Sequence, residues 1–168
     1  MGATEPYRIC FVCLGNICRS PTAEGIMRTL VVHHGLEGVV EVDSAGTGGW
    51  HVGQPPDDRA VAESARRGID ISGLRGRQVH AGDFAFFDLL VAMDESNLAD
   101  LADLAPDDEA RARARRLREF DPASAGDDLD VPDPYYGGDD GFARVHELVT
   151  AACEGLLDHV RAELGDRA

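Results

Sequence analysis

A cysteine and an arginine separated by five residues are the side chains of this sequence best suited to chemistry. Cys13 lies near the end of an apolar run typical of a buried strand, and Arg19 lies just before a helix-like segment that begins at Pro21. Backbone N–H groups in a loop between strand and helix converge on an anion, and their field favours the thiolate form of a cysteine. An arginine fork grips two phosphate oxygens, which a lysine does not do. The loop is therefore predicted to bind phosphate above a nucleophilic Cys13.

The residues around this pair make the pattern specific, because C-x5-R alone is weak. Ser20 is expected to cap the helix and to donate a hydroxyl hydrogen bond to the cysteine. Pro21 is predicted to occupy the first helical position, where its missing N–H is harmless. The loop residues predicted to surround the phosphate are Leu14, Gly15, Asn16, Ile17, Cys18 and Ser20.

Two other kinds of site do not fit these residues. A nucleotide-binding P-loop needs a lysine, and this chain contains none. Cys10, Cys13 and Cys18 do not form the two CxxC pairs of a structural zinc site. We therefore expect no metal ion and no other cofactor.

The segments that must position this loop alternate between strand and helix patterns. The predicted strands are residues 7–12, 39–42, 89–92 and 116–119, and the predicted helices are residues 21–33, 57–67, 81–86, 95–104 and 141–163. Such alternation predicts a parallel sheet with helices on both faces. Ligands of open sheets bind beyond the carboxyl ends of the strands, which is where the loop at Cys13 lies.

The fold class is therefore predicted as α/β, with a four-stranded parallel sheet and the phosphate-binding loop after its first strand. No linker or repeat divides the sequence, so we expect one domain over residues 1–168. Residues 1–6 and 165–168 are expected to be flexible ends.

Charge and length limit the possible partners. The chain has 168 residues, with 16 basic and 31 acidic side chains and a net charge of −15, which disfavours nucleic acid and anionic membranes. The arginine-rich stretch 111–116 is expected to be a solvated face paired with nearby acids. No apolar run is long enough to span a membrane, no signal-peptide pattern occurs, and the four cysteines are typical of reduced thiols. We therefore expect a cytoplasmic monomer that binds neither nucleic acid nor a membrane.

Residues 13–21, CLGNICRSP, resemble the signature of the low-molecular-weight protein tyrosine phosphatases. Further blocks resemble that family in the same order, namely residues 43–47, Trp50, residues 92–98 and residues 133–137. The resemblance implies a small α/β domain that hydrolyses phosphotyrosine through a phosphocysteine intermediate, without a metal. Tyrosine-phosphorylated proteins or peptides would be its substrates, and inorganic phosphate its product.

Such a reaction needs a general acid for the leaving phenolate, and Asp133 is the candidate. It lies between two prolines in a loop rich in Asp, Pro and Gly, residues 121–140, and loops of this length are usually functional or disordered. Asp130 is its nearest competitor. We expect Cys13 to attack phosphorus while Arg19 and the loop amides hold the oxygens. Asp133 would protonate the leaving oxygen and then deprotonate the attacking water.

The resemblance also implies supporting roles behind the loop. In that family an asparagine holds the loop open and a serine assists the thiolate, which implies these roles for Asn16 and Ser20. Ser44 resembles a family residue that joins the same polar network. Many relatives carry a histidine where Leu74 stands here, so we expect this network to be rewired.

A phenyl ring needs a deep apolar slot above the phosphate. Trp50, Tyr135 and Tyr136 are candidate walls, and Leu14 and Ile17 line the loop itself. The alternative for the tyrosines is partly buried loop packing.

The other cysteines have different predicted roles. Cys18 is a candidate resolving thiol that would capture oxidised Cys13 as a disulfide, or else a small side chain that fills space beneath the loop. Cys10 and Cys153 are expected to pack in the core.

Three alternative functions stay open at this point. Phosphoarginine phosphatases resemble this fold but tend to carry threonine at the position of Ile17. An arsenate reductase of the same fold needs further redox cysteines well beyond the nucleophile, and residues 83–93 contain none. A non-catalytic phosphopeptide-binding module would need neither the nucleophile nor the acid.

Overall fold

Four parallel strands form one sheet in the computed structural model, which describes residues 5–124, 128–135 and 139–167. The strands are β1 (Tyr7–Cys13), β2 (Val40–Gly46), β3 (Leu89–Ala92) and β4 (Ala114–Arg116), in the spatial order β2-β1-β3-β4. β1 pairs in parallel with both β2 and β3, so it lies inside the sheet. The predicted α/β class and four-stranded parallel sheet are confirmed.

Helices surround this sheet. They are α1 (Arg19–His33), α2 (Asp58–Arg66), α3 (Asp83–Phe86), α4 (Glu95–Leu104), α5 (Asp108–Arg111) and α6 (Asp139–Arg167), with a 3-10 helix at Leu117–Phe120. Asp57, Asp94 and Asp107 each accept a hydrogen bond from a backbone N–H of the first turn of α2, α4 and α5. These N-caps satisfy N–H groups that a helix leaves without partners, which fixes where the three helices begin.

The side chains of β1 alternate between two apolar cores, one on each face of the sheet. Ile9 and Phe11 join the larger core with residues of α1 and α6. Cys10 and Val12 join the second core with residues of α3 and α4. Because both faces are covered, β1 is apolar throughout instead of alternating with polar residues. A strand held on both faces and both edges is a rigid support for Cys13 at its carboxyl end.

The fourth predicted strand was wrong in its position. Residues 116–119 were predicted as a strand, whereas β4 ends at Arg116 and the 3-10 helix follows directly. A strand of three residues is too short to show a period, and the four-residue helix α5 before it was not predicted for the same reason.

All four arginines of the stretch 111–116 pair with acids. The pairs are Arg111 with Asp108 at 2.5 Å, Arg113 with Glu109 at 3.3 Å, Arg115 with Glu119 at 2.6 Å, and Arg116 with Asp130 at 3.3 Å. The expected pairing of this stretch with nearby acids is confirmed.

The ends of the chain were predicted to be flexible. Residues 165–167 continue α6, and residues 1–4 and 168 lie outside the described residues. The flexible ends and the single domain over residues 1–168 therefore stay predictions. Among the described helices, none is both long and apolar enough to cross a membrane.

Candidate active site

The loop between β1 and α1 curls around the thiol of Cys13. The backbone N–H of Asn16 donates to Cys13 Sγ over 3.3 Å, and Asn16 has a left-handed φ of 58°. Asparagine tolerates this conformation better than most residues, which suits it to the tightest point of the loop. A Cβ at Gly46, at the end of β2, would lie 2.8 Å from the carbonyl oxygen of Leu14, so the loop can pass β2 only because residue 46 is glycine.

Behind the loop, a chain of hydrogen bonds leads away from the thiol. Cys13 Sγ lies 2.9 Å from Ser20 Oγ. The Asn16 amide donates to Ser20 Oγ over 2.8 Å and to Ser44 Oγ over 3.0 Å. The Ser44 hydroxyl donates in turn to Glu24 Oε1 over 2.6 Å. Asn16, Ser20 and Ser44, for which the family resemblance implies one network, are therefore in contact.

Ser20 does not cap α1, contrary to the expectation. The helix begins at Arg19, and its N-cap residue Cys18 makes no side-chain capping hydrogen bond. The Ser20 hydroxyl lies between the thiol and Asn16 instead. Pro21 is the third residue of α1 and not the first as predicted, because the helix begins at Arg19; it still lies in the first turn, where no N–H is needed.

Two members of this network could not be recognised from the sequence. Glu24 is 2% exposed, and burial raises the pKa of its carboxyl group against the opposing effects of the Ser44 hydrogen bond and of Arg28. The backbone N–H of Arg77 donates to Asn16 Oδ1 over 3.0 Å. Leu74, the residue for which the resemblance led us to expect a rewired network, packs against an apolar cluster. Its side chain offers no polar group to the network.

Arg19 is held in place by three oxygen atoms from distant parts of the chain. Its Nη1 lies 2.6 Å from Asp94 Oδ2 and donates to the carbonyl oxygen of Val131 over 2.9 Å. Its Nη2 lies 3.7 Å from Asp133 Oδ2. Burial alone would lower the pKa of Arg19, but the charges of Cys13, Asp94 and Asp133 outweigh it and hold the pKa above its usual value.

Asp133 lies close to this arginine and lines the same cavity. Its Oδ1 accepts the backbone N–H of Tyr135 over 3.0 Å, which orients the carboxyl group, and its side chain is 39% exposed. The competitor Asp130 is engaged elsewhere, since it accepts the backbone N–H of Glu95 over 2.9 Å and pairs with Arg116 at 3.3 Å. Asp130 is not among the residues that line the cavity described next.

Arg59 of α2 holds the segment that carries Asp133. Its guanidinium bonds Asp57 over 3.1 Å and donates to the carbonyl oxygen of Tyr135 over 3.1 Å. The same group lies over the ring of Phe142, 4.7 Å from the centroid. The acid-bearing segment is thereby connected to α2 and α6.

A cavity of about 320 Å³ opens above the thiol. Nine residues predicted for the site line it, namely Cys13, Leu14, Gly15, Ile17, Cys18, Arg19, Trp50, Asp133 and Tyr135. Trp50 is 70% exposed, so it stands at the rim as a wall and not as part of the core. Asn16, Ser20 and Ser44 are buried behind the loop, and Tyr136 lies outside the described residues.

His51 is a lining residue that the sequence reasoning missed. Its ring bonds Gln54 over 2.8 Å, and a Cβ at Gly15 would lie 3.0 Å from its Cδ2. The missing side chain at Gly15 therefore leaves room for this imidazole. The position of His51 directly after Trp50, a predicted wall of the site, could have indicated this role.

The cysteines differ in their surroundings, and all four are free thiols. Burial raises the pKa of Cys18, and the negative charges of Asp57, Cys13 and Asp133 raise it further. Cys10 and Cys153 are fully buried in the two cores, as expected, and burial raises the pKa of both. Among the described residues, no three His, Cys, Asp or Glu side chains are grouped so that they could hold a metal ion.

The fold and the site together define a class, the α/β proteins that bind phosphate in a loop between the first strand and the first helix. The chain matches the Low molecular weight phosphotyrosine protein phosphatase family over residues 8–166. It is 51% identical, over 162 residues, to a low molecular weight protein-tyrosine-phosphatase of Streptomyces coelicolor, covering 96% of this chain and 98% of that one. The chain belongs to this family and is a protein-tyrosine-phosphatase.

Solved structures agree with this assignment. The crystal structure of YfkJ from Bacillus subtilis superposes with a TM-score of 0.88 at 41% identity, and the match covers 96% of this chain and 99% of that one. The crystal structure of a Drosophila arginine phosphatase superposes with a TM-score of 0.80 at 34% identity, covering 90% and 96% of the two chains. The fold is therefore shared by proteins with different phosphorylated substrates.

Proposed function

We propose that this protein hydrolyses phosphotyrosine in proteins or peptides in two steps, through a phosphocysteine at Cys13. The observation that supports it best is the meeting of three groups in one cavity. Cys13, Arg19 and Asp133 all line this cavity, and the carboxylate of Asp133 lies 3.7 Å from the guanidinium of Arg19. These are the nucleophile, the oxygen-binding cation and the proton donor that phosphoryl transfer to a thiol requires.

In the first step, the thiolate of Cys13 attacks phosphorus in line with the bond to the tyrosine oxygen. Arg19 and the loop N–H groups hold the three equatorial oxygens, on which negative charge is spread in the transition state. The P–O bond to tyrosine breaks, and its electron pair takes a proton from Asp133. Tyrosine leaves, and the sulfur carries the phosphoryl group.

In the second step, Asp133 acts as a base. It removes a proton from a water molecule that attacks the phosphorus of the phosphocysteine, and the S–P bond breaks to return the thiolate. The Ser20 hydroxyl and the backbone N–H of Asn16 lie within hydrogen-bond distance of Cys13 Sγ. They stabilise the negative charge of the thiolate as it leaves phosphorus. Inorganic phosphate is released.

The walls of the cavity favour an aromatic ring on the leaving group. Trp50 and Tyr135 stand at the rim, and Leu14 and Ile17 supply apolar surface next to the loop. A phenyl ring gains free energy by burying its faces against such side chains. Tyr136, a further predicted wall, stays a prediction.

The alternative substrate is phosphoarginine. The position at which phosphoarginine phosphatases tend to carry threonine is occupied here by Ile17, which lines the cavity with an apolar surface. This favours a phenyl ring over a guanidinium. Arsenate reduction would need redox cysteines that residues 83–93 lack, and a binding module would need neither Cys13 nor Asp133.

Cys18 is proposed as the resolving thiol of an oxidised enzyme. A peroxide would oxidise the Cys13 thiolate to a sulfenic acid, and this would condense with the Cys18 thiol, releasing water and forming a disulfide. Burial raises the pKa of Cys18, which leaves the nucleophilic role in the reduced enzyme to Cys13; the Cys18 thiol would give up its proton as it attacks the sulfenic acid. We further propose that the protein works in the cytoplasm as a monomer, where thiols remain reduced.

The test is phosphate release from a phosphotyrosyl peptide with a chelator present, for the wild type and for Cys13→Ser. We expect release by the wild type alone. A phosphoarginine peptide measured in parallel should be hydrolysed far more slowly, and a preference for that peptide would contradict the proposed substrate. Equal release by Cys13→Ser would contradict the proposed nucleophile.

A further inference from the structure

A second groove of about 350 Å³ adjoins the active-site cavity and shares two of its walls. Leu14 and Trp50 line both spaces, so each presents one side to the cavity and another to the groove. Val79 and Leu104 add apolar surface to the groove. Thr47 also lines it, and its buried Oγ1 has no hydrogen-bond partner among the described residues. A chain that leaves the cavity past Trp50 therefore enters this groove directly.

Two carboxylates of α4 line the groove and leave it negatively charged. Asp100 and Asp103 are three residues apart, so they share one face of the helix, and both are exposed. In the part of the chain that the structure describes, neither forms an ion pair or a side-chain hydrogen bond. The last turn of α4 contains no basic residue, and Asp103 lies at the helix end where the dipole disfavours an anion.

The arginine that reaches this end of α4 does not neutralise the pair. Arg111 donates through Nε to the carbonyl oxygen of Ala102 over 3.3 Å and pairs through Nη1 with Asp108 at 2.5 Å. The groove thus combines apolar walls with two carboxylates that would gain an attraction from an incoming cation.

We propose that this groove binds the side chain of a lysine or arginine that flanks the phosphotyrosine of the substrate. The proposal rests on the proposed function, because it needs a phosphotyrosyl peptide in the neighbouring cavity. The aliphatic part of such a side chain packs on Leu104 and on Trp50, whose ring also attracts a cation. The charged end reaches Asp100 and Asp103. A glutamate in the same place meets two like charges and is disfavoured.

The test compares phosphotyrosyl peptides that carry arginine, alanine or glutamate at each flanking position in turn. The enzymes are the wild type, Asp100→Asn/Asp103→Asn, and the matched control Glu154→Gln/Asp158→Asn, which removes the same charge from exposed positions of α6. A small aryl phosphate, which has no flanking residue, reports whether each variant is folded and active. The measured quantity is kcat/KM for each peptide at low and at high salt.

We expect the wild type to prefer arginine over glutamate at one or more positions by roughly five- to ten-fold at low salt, and less at high salt. The preference should fall towards one in the groove variant and persist in the control, while aryl phosphate hydrolysis stays equal in all three. Equal rates for the arginine and glutamate peptides with the wild type would overturn the proposal. So would an equal loss of preference in groove and control variants, since that indicates net charge alone. If the wild type hydrolyses none of the peptides, the proposed function itself fails.

Discussion

Replacing Asp94 with asparagine should lower the rate of hydrolysis while leaving the N-cap of α4 in place. Asp94 uses its two oxygens for two tasks: Oδ1 accepts the N–H of Asn97 over 2.8 Å and begins α4, and Oδ2 contacts Arg19 at 2.6 Å. Asparagine has one acceptor oxygen and is as good an N-cap as aspartate. When that oxygen caps the helix, the amide NH₂ faces Arg19, and two donors then oppose each other.

The size of the effect follows from the contact that is lost. A hydrogen bond to a charged group contributes about 1.5–3 kcal/mol, which corresponds to roughly ten- to hundred-fold in rate when the arginine is no longer held against the phosphate. Arg19 would keep the Val131 carbonyl and turn towards Asp133, which also disturbs the proton donor. We therefore expect kcat for an aryl phosphate to fall by roughly ten- to hundred-fold and inhibition by inorganic phosphate to weaken.

The assay pairs steady-state kinetics with thermal unfolding. Asp94→Asn should lower the unfolding temperature because Arg19, which is 3% exposed, loses a charged partner. Asp94→Ala should lose about 1 kcal/mol more because the cap is gone. Asp107→Asn is the matched control, since Asp107 caps α5 in the same way and does not line the cavity. Wild-type kcat and phosphate affinity in Asp94→Asn would refute the reasoning that this carboxylate holds Arg19.

The remaining predictions concern the acid, its support and a buried histidine. Asp133→Asn should lower kcat severely for a poor leaving group such as phenyl phosphate and much less for p-nitrophenyl phosphate, and equal losses would argue against a general acid. Arg59→Ala should lower kcat several-fold, because Arg59 donates to the carbonyl oxygen of Tyr135. The control Arg75→Ala should show no comparable change. An unchanged kcat in Arg59→Ala would show that this contact does not hold the loop. His146 is 3% exposed, and burial, together with the charge of Arg67, lowers its pKa. Folding therefore favours the neutral imidazole of His146. Its contribution to the free energy of unfolding is fully present above the histidine pKa of the unfolded chain, near 6.5, and is lost as the pH falls below that value. The free energy of unfolding should decline from about pH 7 downwards, and His146→Leu should remove that part of the decline; identical slopes would contradict this role.

The phosphate loop could be predicted from the sequence because its determinants are local. Residues 13–21 contain, one after another, the end of a strand, a glycine, an asparagine and the start of a helix. Backbone geometry alone therefore brings Cys13 and Arg19 together. The sheet could be predicted for a similar reason, since buried parallel strands are continuous apolar runs. Only β4 was misplaced, because three residues carry too little pattern.

Contacts between segments far apart in the chain could not be predicted from the sequence. The predicted helix 95–104 begins directly after Asp94, which does cap it, but the contact of Asp94 with Arg19 spans 75 residues. Glu24 is a polar residue inside α1 that looks like an ordinary helix surface position until the fold buries it against Ser44. The acidic groove beside Trp50 likewise needs α4 and the loop after β2 to be placed side by side.

The most direct measurement is the detection of a phosphoryl group on Cys13 during turnover. The enzyme is mixed with a phosphotyrosyl peptide, denatured rapidly, and its peptides are analysed by mass spectrometry, with Asp133→Asn and an activated aryl phosphate used to slow breakdown of the intermediate. We expect one phosphoryl group on the peptide that contains Cys13, and none when Cys13→Ser is treated in the same way. Phosphate release without any phosphorylated Cys13, or a phosphoryl group on another residue, would contradict the two-step reaction.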